Sequence, residues 1–343
     1  MRKTESLRSV LFLWSTWSSY MEECAAALRD AGVEVTVVAA AGDVRSPHPT
    51  TDWASELLEP EPLSSEDLVG LIRRLRPDVI LVGGWHIKKY REALHKQPGS
   101  LRVLCMDNQW METPKQWLGR FSSPMFIQRR FDRAFVAGER QYQFALRLGF
   151  SPQRIRQGLY IPSPAVRPTV HADREGFLFV GARVSEKNFD TLMQAYQQYR
   201  ESSVDIEPWS LTIAGSGASI DADGIIDVGF ISSSVELQAI YARTACSIMI
   251  GHYEPWGVAL AEGAQAGHSL IAASEVGATP HLVHHLFNGY VVGSGDVDAV
   301  ANAMSRIATS SPLKLAMWGE RSQQLVAPYS AERWCAMVED LLA

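Results

Sequence analysis

The sequence predicts an α/β protein with two doubly wound domains, each built on a parallel sheet. Short apolar runs without alternation, typical of strands covered on both faces, alternate with helical stretches along the chain. The 343 residues are many for one core, and the alternation restarts after a proline-rich segment, residues 160–176. We expect domains at 1–165 and 166–325, ligand space between them, and a C-terminal helix, 326–343, that returns to the first domain.

The composition narrows the classes of function. A formal net charge of −6 argues against a nucleic-acid-binding protein, and 46% hydrophobic with 20% charged residues is typical of a soluble enzyme. The four cysteines form no CxxC pair, which predicts buried thiols in a reducing compartment and not disulfides or a zinc site. The first apolar run, VLFLW, is shorter than a signal peptide needs. We expect a cytoplasmic protein, either free or peripheral at the inner face of a membrane.

The first half predicts five strands and four helices. Val, Ile and Leu dominate the strands, Gly32 and Gly149 follow helices, and Pro77 ends the helix that Ser65 opens. Ser15 to Ser19 is expected to form a loop. The predicted strands are 10–14, 33–40, 78–82, 101–106 and 134–137, and the helices are 20–31, 65–75, 88–96 and 139–148.

The second half repeats the pattern and contains the most informative helix. Pro255 suits the first position of a helix and Gly267 suits its left-handed cap, which predicts a helix over 255–266. Glu254 would lie at its start and Glu262 about 12 Å further along the axis. The predicted strands are 177–180, 211–214, 225–228, 246–250 and 269–273, and the other helices are 189–199, 235–242, 280–286, 297–308, 313–325 and 331–342.

Several polar residues follow these strands. A helix start attracts phosphate, and an acid at either side could hold hydroxyl groups, so a sugar linked to a nucleoside diphosphate fits this arrangement. Arg183 and Lys187 follow strand 177–180, where two cations suit a diphosphate leaving group. Each of these signals is weak alone, because a solvated basic turn looks the same. Weaker candidates are the turn with Gly215 and Gly217, and Phe230 and Ile231, whose backbone groups could meet a base.

The ordered set of these motifs is far more specific than its members. FVGARVSEKNFDTL, LTIAGSG and GHYEPWGVALAEGAQAG together resemble the donor half of the large retaining glycosyltransferase family (family 4-like). That family has the GT-B fold and two glutamates with seven residues between them. The resemblance covers residues 177–308 clearly. It implies transfer of a sugar from a nucleotide-diphosphate donor to a glycan, glycolipid or small-molecule hydroxyl, with retention at the anomeric carbon and without a metal or other cofactor.

The same resemblance implies residue roles. Arg183 and Lys187 would neutralise the diphosphate, Glu262 would hold the ribose hydroxyls, and Glu254 would face the donor sugar. Backbone groups of the segment after Glu254 would also reach the donor. The residues of that segment are Trp256, Gly257 and Val258.

The chain departs from the family pattern on the expected acceptor side. Ser15, Thr16 and Trp17 replace two glycines of the first loop, which predicts a reshaped acceptor or phosphate edge. A histidine usually follows the fourth strand, where this chain has Asp107 and Asn108. His86 is another polar group at that side, with a structural role as the alternative. The later loop, residues 276–281, also lacks the paired glycines and the glutamate of the family.

Three alternatives stay open. Residues 115–131 mix aromatic residues with arginines, which suits either a membrane-surface face for a lipid-linked acceptor or an ordinary helix. A non-catalytic nucleotide-sugar or glycan-binding descendant would retain the same motifs, and an epimerase or phosphorylase could share the fold. Two metal-like patterns, Asp221 with Asp223 and the histidines 281, 284 and 285, are better explained as a turn and a helix face.

Overall fold

The computed structural model describes residues 7–40, 57–58, 61–95, 99–169, 174–203 and 207–342. Its contacts divide the chain into two compact units. Unit 1 comprises Met1–Ile161 with Ala331–Ala343, and unit 2 comprises Pro162–Ser330. Parts of three predicted segments, residues 1–6, 96 and 170–173, lie outside the described residues.

Unit 1 contains a seven-stranded sheet in the order β3-β2-β1-β4-β5-β6-β7, and its pairings are parallel. The strands are β1 (Ser9–Thr16), β2 (Glu34–Ala40), β3 (Leu57–Leu58), β4 (Val79–Val82), β5 (Leu101–Met106), β6 (Arg133–Val136) and β7 (Ile155–Gln157). The helices before unit 2 are α1 (Ser19–Asp30), α2 (Ser65–Leu75), α3 (Lys88–Leu94), α4 (Pro114–Phe126) and α5 (Glu139–Arg147). Buried apolar side chains of the strands pack with those of α2, α3 and α5 in one large cluster.

Unit 2 contains a six-stranded sheet in the order β10-β9-β8-β11-β12-β13, again parallel. The strands are β8 (Phe177–Val180), β9 (Leu211–Ala214), β10 (Ile225–Gly229), β11 (Cys246–Met249), β12 (Ser269–Ala273) and β13 (Gly289–Val292). The helices are α6 (Phe189–Ser202), α7 (Ser234–Arg243), α8 (Val258–Gln265), α9 (Thr279–Leu282), α10 (Val297–Ala308) and α11 (Pro312–Val326). The prediction of two α/β domains with doubly wound strand order is confirmed.

The last helix, α12 (Ala331–Asp340), belongs to unit 1. Trp334 is fully buried there, where its ring lies 5.9 Å from that of Phe135 and its indole N–H donates to the carbonyl of Leu159 at 2.8 Å. Arg156 also forms an ion pair with Asp340. The C-terminal helix therefore completes the core of the unit in which the chain began.

Several local predictions need correction. Ser15 and Thr16 extend β1 and Ser19 begins α1, so the predicted loop shrinks to Trp17 and Ser18. Strands β3, β7 and β13 were missed, of which β3 and β7 contain only two and three residues. The helix predicted over 280–286 ends at Leu282.

The largest correction concerns the helix predicted to begin at Pro255, because α8 begins three residues later, at Val258. Gly257 adopts a φ of +108°, which no helical residue has, and Glu254 pairs with Val276 in an isolated parallel bridge. The segment before α8 is therefore a bridge followed by bends and not a helical turn. The end was predicted correctly: Gly267 has φ +78° and donates to the carbonyl of Ala264 at 3.1 Å.

Candidate functional site

The candidate site lies where the strand order of unit 2 reverses. Strands β8 and β11 are neighbours in the sheet, although β9 and β10 separate them in the sequence. From β8 the chain continues to its neighbour β9, and from β11 it continues to β12 on the opposite side, so the loops after β8 and β11 border a crevice at the end of the sheet. Residues 181–188 form the first loop and residues 250–257 form the second.

The two loops approach each other closely. A side chain at Gly251 would place its Cβ 2.8 Å from the carbonyl oxygen of Glu186. Asn188 has a left-handed φ of +57° and donates from Nδ2 to the carbonyl of Ile250 at 3.2 Å and to that of Ser294 at 2.9 Å. These contacts hold the end of the first loop against the start of the second.

Lys187 and Glu254 meet between these loops. The ammonium group of Lys187 forms an ion pair with Oε2 of Glu254, whose side chain is only 11% exposed. The main chain of Glu254 is held as well, since its carbonyl accepts the N–H of Gly277 at 3.0 Å. The sequence predicted both residues for a donor site, and the structure places them in direct contact.

Arg183 occupies a different environment from Lys187. Its guanidinium group forms an ion pair with Asp227 on β10 and donates to the carbonyl of Ala218. Burial alone would raise the pKa of Asp227, but the N–H groups of Ile220 and Gly229 and the charge of Arg183 hold that pKa below its ordinary value. Sequence analysis missed Asp227, although an acid within an apolar strand, IIDVG, is a detectable signal.

The predicted glycine turn has a packing role. A Cβ at Gly215 would lie 1.9 Å from the carbonyl oxygen of Gly181, and a Cβ at Gly217 would lie 2.7 Å from the side chain of Arg183. Gly215 also donates to the carbonyl of Gly229 at 2.7 Å. The turn is therefore needed for the backbone after β9 to touch the loop after β8 and to leave room for Arg183.

The start of α8 presents backbone groups in an irregular geometry. Gly257 is the residue before the first helical turn, and a Cβ there would lie 2.8 Å from the sulfur of Met249. The indole of Trp256 is 2% exposed and packs on His281 and Tyr329, with ring centroids 5.5 and 5.3 Å away. The side chain of Trp256 therefore serves packing, while Val258, the first helical residue, is half-buried.

Glu262 projects from α8 into a buried environment. Its Oε2 accepts a hydrogen bond from the hydroxyl of Tyr241 at 3.0 Å. Burial and the nearby carboxylate of Glu262 raise the pKa of Tyr241 well above its ordinary value, so the phenol stays protonated and acts as donor. Tyr241 was missed because nothing in α7 distinguishes it from other apolar helix residues.

The residues proposed to meet a base follow β10. Phe230 is exposed, whereas Ile231 is half-buried against a small cluster of buried residues that includes Leu178 and Tyr241. The loops after β8, β9, β10 and β11 all leave the carboxyl edge of one parallel sheet. The predicted donor-side residues therefore gather at this edge of unit 2.

The predicted acceptor residues of unit 1 divide into core and surface positions. Ser15 and Thr16 are half-buried at the end of β1. Trp17 is fully buried and donates from its indole nitrogen to Glu22 at 3.0 Å. The prediction that this indole narrows an open edge is wrong, because the ring fills the core.

The remaining acceptor-side candidates follow adjacent strands. His86, after β4, and Asn108, after β5, are exposed. Asp107 is half-buried and accepts a hydrogen bond from the hydroxyl of Tyr160 at 3.0 Å. Burial and the charge of Asp107 raise the pKa of Tyr160 well above its ordinary value.

The two metal-like patterns have structural explanations. Asp223 lies in a turn before β10 and pairs with Arg200. Helix α9 contains His281 but ends before His284 and His285, so the three histidines do not share a helix face. Among the described residues, no group of three or more His, Cys, Asp or Glu side chains could hold a metal ion.

Comparison with known families identifies the segment that contains this site. Residues 167–325 match the family model of the glycosyl transferases group 1. The match spans just under half of the chain and lies within unit 2. An uncharacterised glycosyltransferase of Methanocaldococcus jannaschii is 26% identical over 163 residues, which cover 44% of this chain and 38% of that relative.

Solved structures share the fold over most of the chain. Sucrose-phosphate synthase from Thermosynechococcus elongatus superposes with a TM-score of 0.70 at 16% identity, covering 96% of this chain and 97% of that one. HepE from Anabaena in complex with UDP and glucose gives 0.70 at 12% identity, with 97% and 98% covered. The two-unit GT-B fold is thereby supported along both units. In the described part of the chain, no helix is both long and apolar enough to cross a bilayer.

Proposed function

We propose that the protein is a retaining glycosyltransferase that moves a hexosyl group from a nucleoside-diphosphate sugar to a hydroxyl of a glycan, glycolipid or small molecule without a metal or other cofactor. The observation that carries the proposal is the Lys187–Glu254 pair at the switch point of unit 2, within the segment that matches the glycosyl transferases group 1 model. A cation and a carboxylate in contact at one strand edge can bind the two ends of a donor, its diphosphate and its sugar hydroxyls.

The bond changes follow from the proposed donor. The bond between the anomeric carbon and the β-phosphate oxygen breaks, and the acceptor oxygen bonds to the same face of that carbon. The acceptor proton passes to the leaving phosphate, so the products are the glycoside and the nucleoside diphosphate. Lys187 stabilises the negative charge on the departing phosphate, which is the main demand that this reaction makes on the protein.

The remaining donor contacts follow from burial and hydrogen bonding. Glu262, oriented by Tyr241, holds the ribose hydroxyls with its carboxylate. The carboxylate of Glu254 accepts hydrogen bonds from hydroxyl groups of the sugar. The N–H groups of the segment from Trp256 to Val258 donate to the adjacent oxygens of the donor. Phe230 and Ile231 border the base.

Arg183 requires a larger rearrangement than Lys187 before it can bind the diphosphate. Both cations are paired with a carboxylate, but the side chain of Arg183 is 5% exposed and also donates to the carbonyl of Ala218, whereas that of Lys187 is 26% exposed. We therefore assign the larger electrostatic contribution to Lys187. Arg183 adds a second cation at the same edge when the donor competes with Asp227 for it.

Two similar structures suggest which donor to test first. HepE from Anabaena was solved with UDP-glucose, and the pneumococcal O-GlcNAc transferase GtfA was solved with UDP and GlcNAc. Their identities of 13% and 11% to this chain do not determine its base or sugar. UDP-sugars are thus the starting point of a screen that also includes guanosine, adenosine and thymidine diphosphate sugars.

Donor hydrolysis and transfer assays test the proposal. Lys187→Ala should reduce the rate by roughly 100- to 1,000-fold, as expected when one charged donor to a leaving group is removed. Lys88→Ala, a surface lysine paired with Glu92 in unit 1, is the matched control and should retain the wild-type rate. Wild-type rates in a folded Lys187→Ala variant would contradict the assignment.

Two further measurements test retention of the anomeric configuration and independence from metal ions. NMR of the product should show the anomeric configuration of the donor, and an inverted product would exclude retention. Treatment with EDTA should leave the rate unchanged, and a loss that Mg²⁺ or Mn²⁺ restores would exclude metal independence.

A non-catalytic nucleotide-sugar-binding protein is the second candidate. The engagement of Arg183 by Asp227 favours it, since an occupied guanidinium contributes less to a leaving group. Both candidates predict that nucleoside diphosphates raise the melting temperature. Only the enzyme releases nucleoside diphosphate from a nucleotide sugar, so turnover distinguishes the two.

A further inference from the structure

Helix α4 of unit 1 is buried on its polar side. Gln116, Gly119 and Ser123, at spacing i, i+3 and i+7, are its less exposed residues. The hydroxyl of Ser123 donates to the carbonyl of Leu148 at 2.5 Å, and Gln116 donates from Nε2 to the carbonyl of Gln109 at 2.7 Å. Hydrogen bonds from polar residues, together with the ring contact of Trp117 with Trp110 at 5.2 Å, therefore attach this helix to the unit.

The opposite side of α4 carries large apolar residues. Leu118, Phe121 and Met125 repeat the same spacing two positions further on, which is about 200° around the helix. They are 70%, 75% and 59% exposed, and the flanking Trp117 and Phe126 are 38% and 52% exposed. Soluble proteins usually place such residues inward, and a contiguous exposed patch of this kind indicates an interaction surface. We call these five residues the α4 apolar face.

The charged residues within α4 and the segment that follows it are all positive, between Glu112 and Asp132. From Thr113 to Phe131 the sequence contains Lys115, Arg120, Arg129 and Arg130 and no acidic residue, in a chain of net charge −6. The guanidinium of Arg120 lies 5.1 Å from the ring centre of Trp117, and that of Arg130 lies 5.8 Å from Phe126. The cations therefore border the aromatic rings of the same surface.

We propose that the α4 apolar face binds the interface of an anionic lipid bilayer. The apolar side chains would enter the boundary between headgroups and acyl chains, while Lys115, Arg120 and Arg129 contact lipid phosphates. Charge complementarity selects this partner over a second copy of the chain. Two such faces packed together would bring like charges into contact. This inference is independent of the proposed sugar transfer.

Vesicle sedimentation with the full chain tests the apolar part. The protein should sediment with phosphatidylglycerol–phosphatidylcholine vesicles at low salt and stay in the supernatant with phosphatidylcholine alone. Phe121→Glu should weaken binding by about ten-fold or more, because it removes a buried ring and adds a repelled charge. Leu313→Glu, at an 81% exposed leucine of unit 2, is the matched control and should bind like the wild type.

The electrostatic part is tested by Lys115→Gln, Arg120→Gln and Arg129→Gln combined. Three cations at about 1 kcal/mol each predict a loss on the order of 100-fold in vesicle affinity. Arg73→Gln, an exposed arginine of α2, should have no comparable effect. Equal binding to anionic and neutral vesicles would overturn the proposal, as would equal losses in the test and control variants.

Sedimentation velocity tests the alternative that a second copy of the chain, and not a bilayer, covers the α4 apolar face. A wild-type dimer that Phe121→Glu converts to a monomer, without vesicle binding by the wild type, would identify a second copy as the occupant and overturn the proposal. Circular dichroism and melting curves of each variant show whether it is folded. Since the substituted residues are exposed, we expect melting temperatures close to that of the wild type.

Discussion

The two units share a strand order around their first strand but fill the resulting crevice with different chemistry. In unit 1, β1 and β4 are neighbours, and the indole of Trp14 covers the loop after β4 so closely that a Cβ at Gly83 would lie 2.4 Å from the ring. Trp17 packs edge-on against Trp14 and Phe12, with centroids 6.3 and 5.3 Å away. This crevice is lined with aromatic rings.

In unit 2 the corresponding loops, after β8 and β11, bring Lys187 to Glu254. The backbones of these loops also approach closely, at Gly251 and Glu186. Parallel strands thus supply the same edge in both units, where the described residues of unit 1 place aromatic rings and unit 2 places the Lys187–Glu254 ion pair. The comparison teaches that topology locates a crevice, while the residue types after each strand decide whether it is packed or polar.

The largest effect is expected from a substitution that breaks the backbone contact of unit 2. Gly215→Ala would place a Cβ 1.9 Å from the carbonyl oxygen of Gly181 at a φ of +150°, so we expect a loss of at least about 3 kcal/mol in local stability. Gly83→Ala meets a side-chain ring instead and should cost about 1–3 kcal/mol. Hydrogen exchange of amides in β8 and β9, compared with β1 and β4, measures each loss separately.

A smaller loss in Gly215→Ala than in Gly83→Ala would show that the loops of unit 2 adjust more easily than the aromatic packing of unit 1. The rigid backbone contact described above would then be the wrong explanation for the glycine turn.

The next effect separates a site tyrosine from a core tyrosine. Tyr241→Phe removes the hydroxyl that binds Glu262, and hydrogen bonds to charged groups contribute about 1.5–3 kcal/mol, so donor affinity should fall by roughly 10- to 100-fold. Tyr90→Phe, the control, removes a buried hydroxyl that donates to the carbonyl of Trp14 at 3.0 Å in unit 1. It should lower stability without changing the affinity. Calorimetric titration with nucleoside diphosphates measures both.

The smallest effect concerns acidification, to which the two units should respond in opposite directions. Burial and the charge of Arg174 lower the pKa of His268 in unit 2 to about 3. The unfolded chain takes up a proton near the ordinary pKa of 6.5 and the folded chain does not. The contribution of His268 to the free energy of unfolding is therefore complete above pH 6.5 and is lost as the pH falls toward 3. About 2 kcal/mol is lost between pH 7 and 5.

The contribution of Glu22 in unit 1 to stability changes with pH in the opposite direction. Burial raises its pKa above the ordinary 4.5, so the folded chain binds the proton more tightly and gains relative stability as the pH falls. His268→Gln and Glu22→Gln should each remove their part of the pH dependence. Urea unfolding at pH 7 and 5 measures the difference between each variant and the wild type. If the free energy of unfolding changed with pH by the same amount in both variants, the predicted opposite responses would be contradicted.

Local patterns were sufficient for much of the fold. The buried strand β8 and the helix α2 were predicted at their observed bounds, because an apolar run and a capping box with Ser64 and Asp67 determine them locally. The start of α8 was wrong because it depends on distant residues. Met249 and Val276 surround Gly257, and no sequence neighbour of Pro255 reveals them.

The candidate site shows the same limit. Lys187, Glu254 and Glu262 could be found because they occur in an ordered motif, and Trp17 was misplaced because exposure depends on how the rest of unit 1 packs. Asp227 and Tyr241 hold predicted site residues from strands and helices that carry no motif. Residues that act through another side chain are therefore the hardest to recognise without coordinates.

The return of α12 to unit 1 affects the order in which the protein can be made. During synthesis all of unit 2 leaves the ribosome before Trp334 does. Until then, Phe135 and the carbonyl of Leu159 lack their contacts with the indole of Trp334. Unit 2 is continuous in sequence and has every strand of its sheet available first. The unit that is synthesised first is thus the unit that finishes folding last.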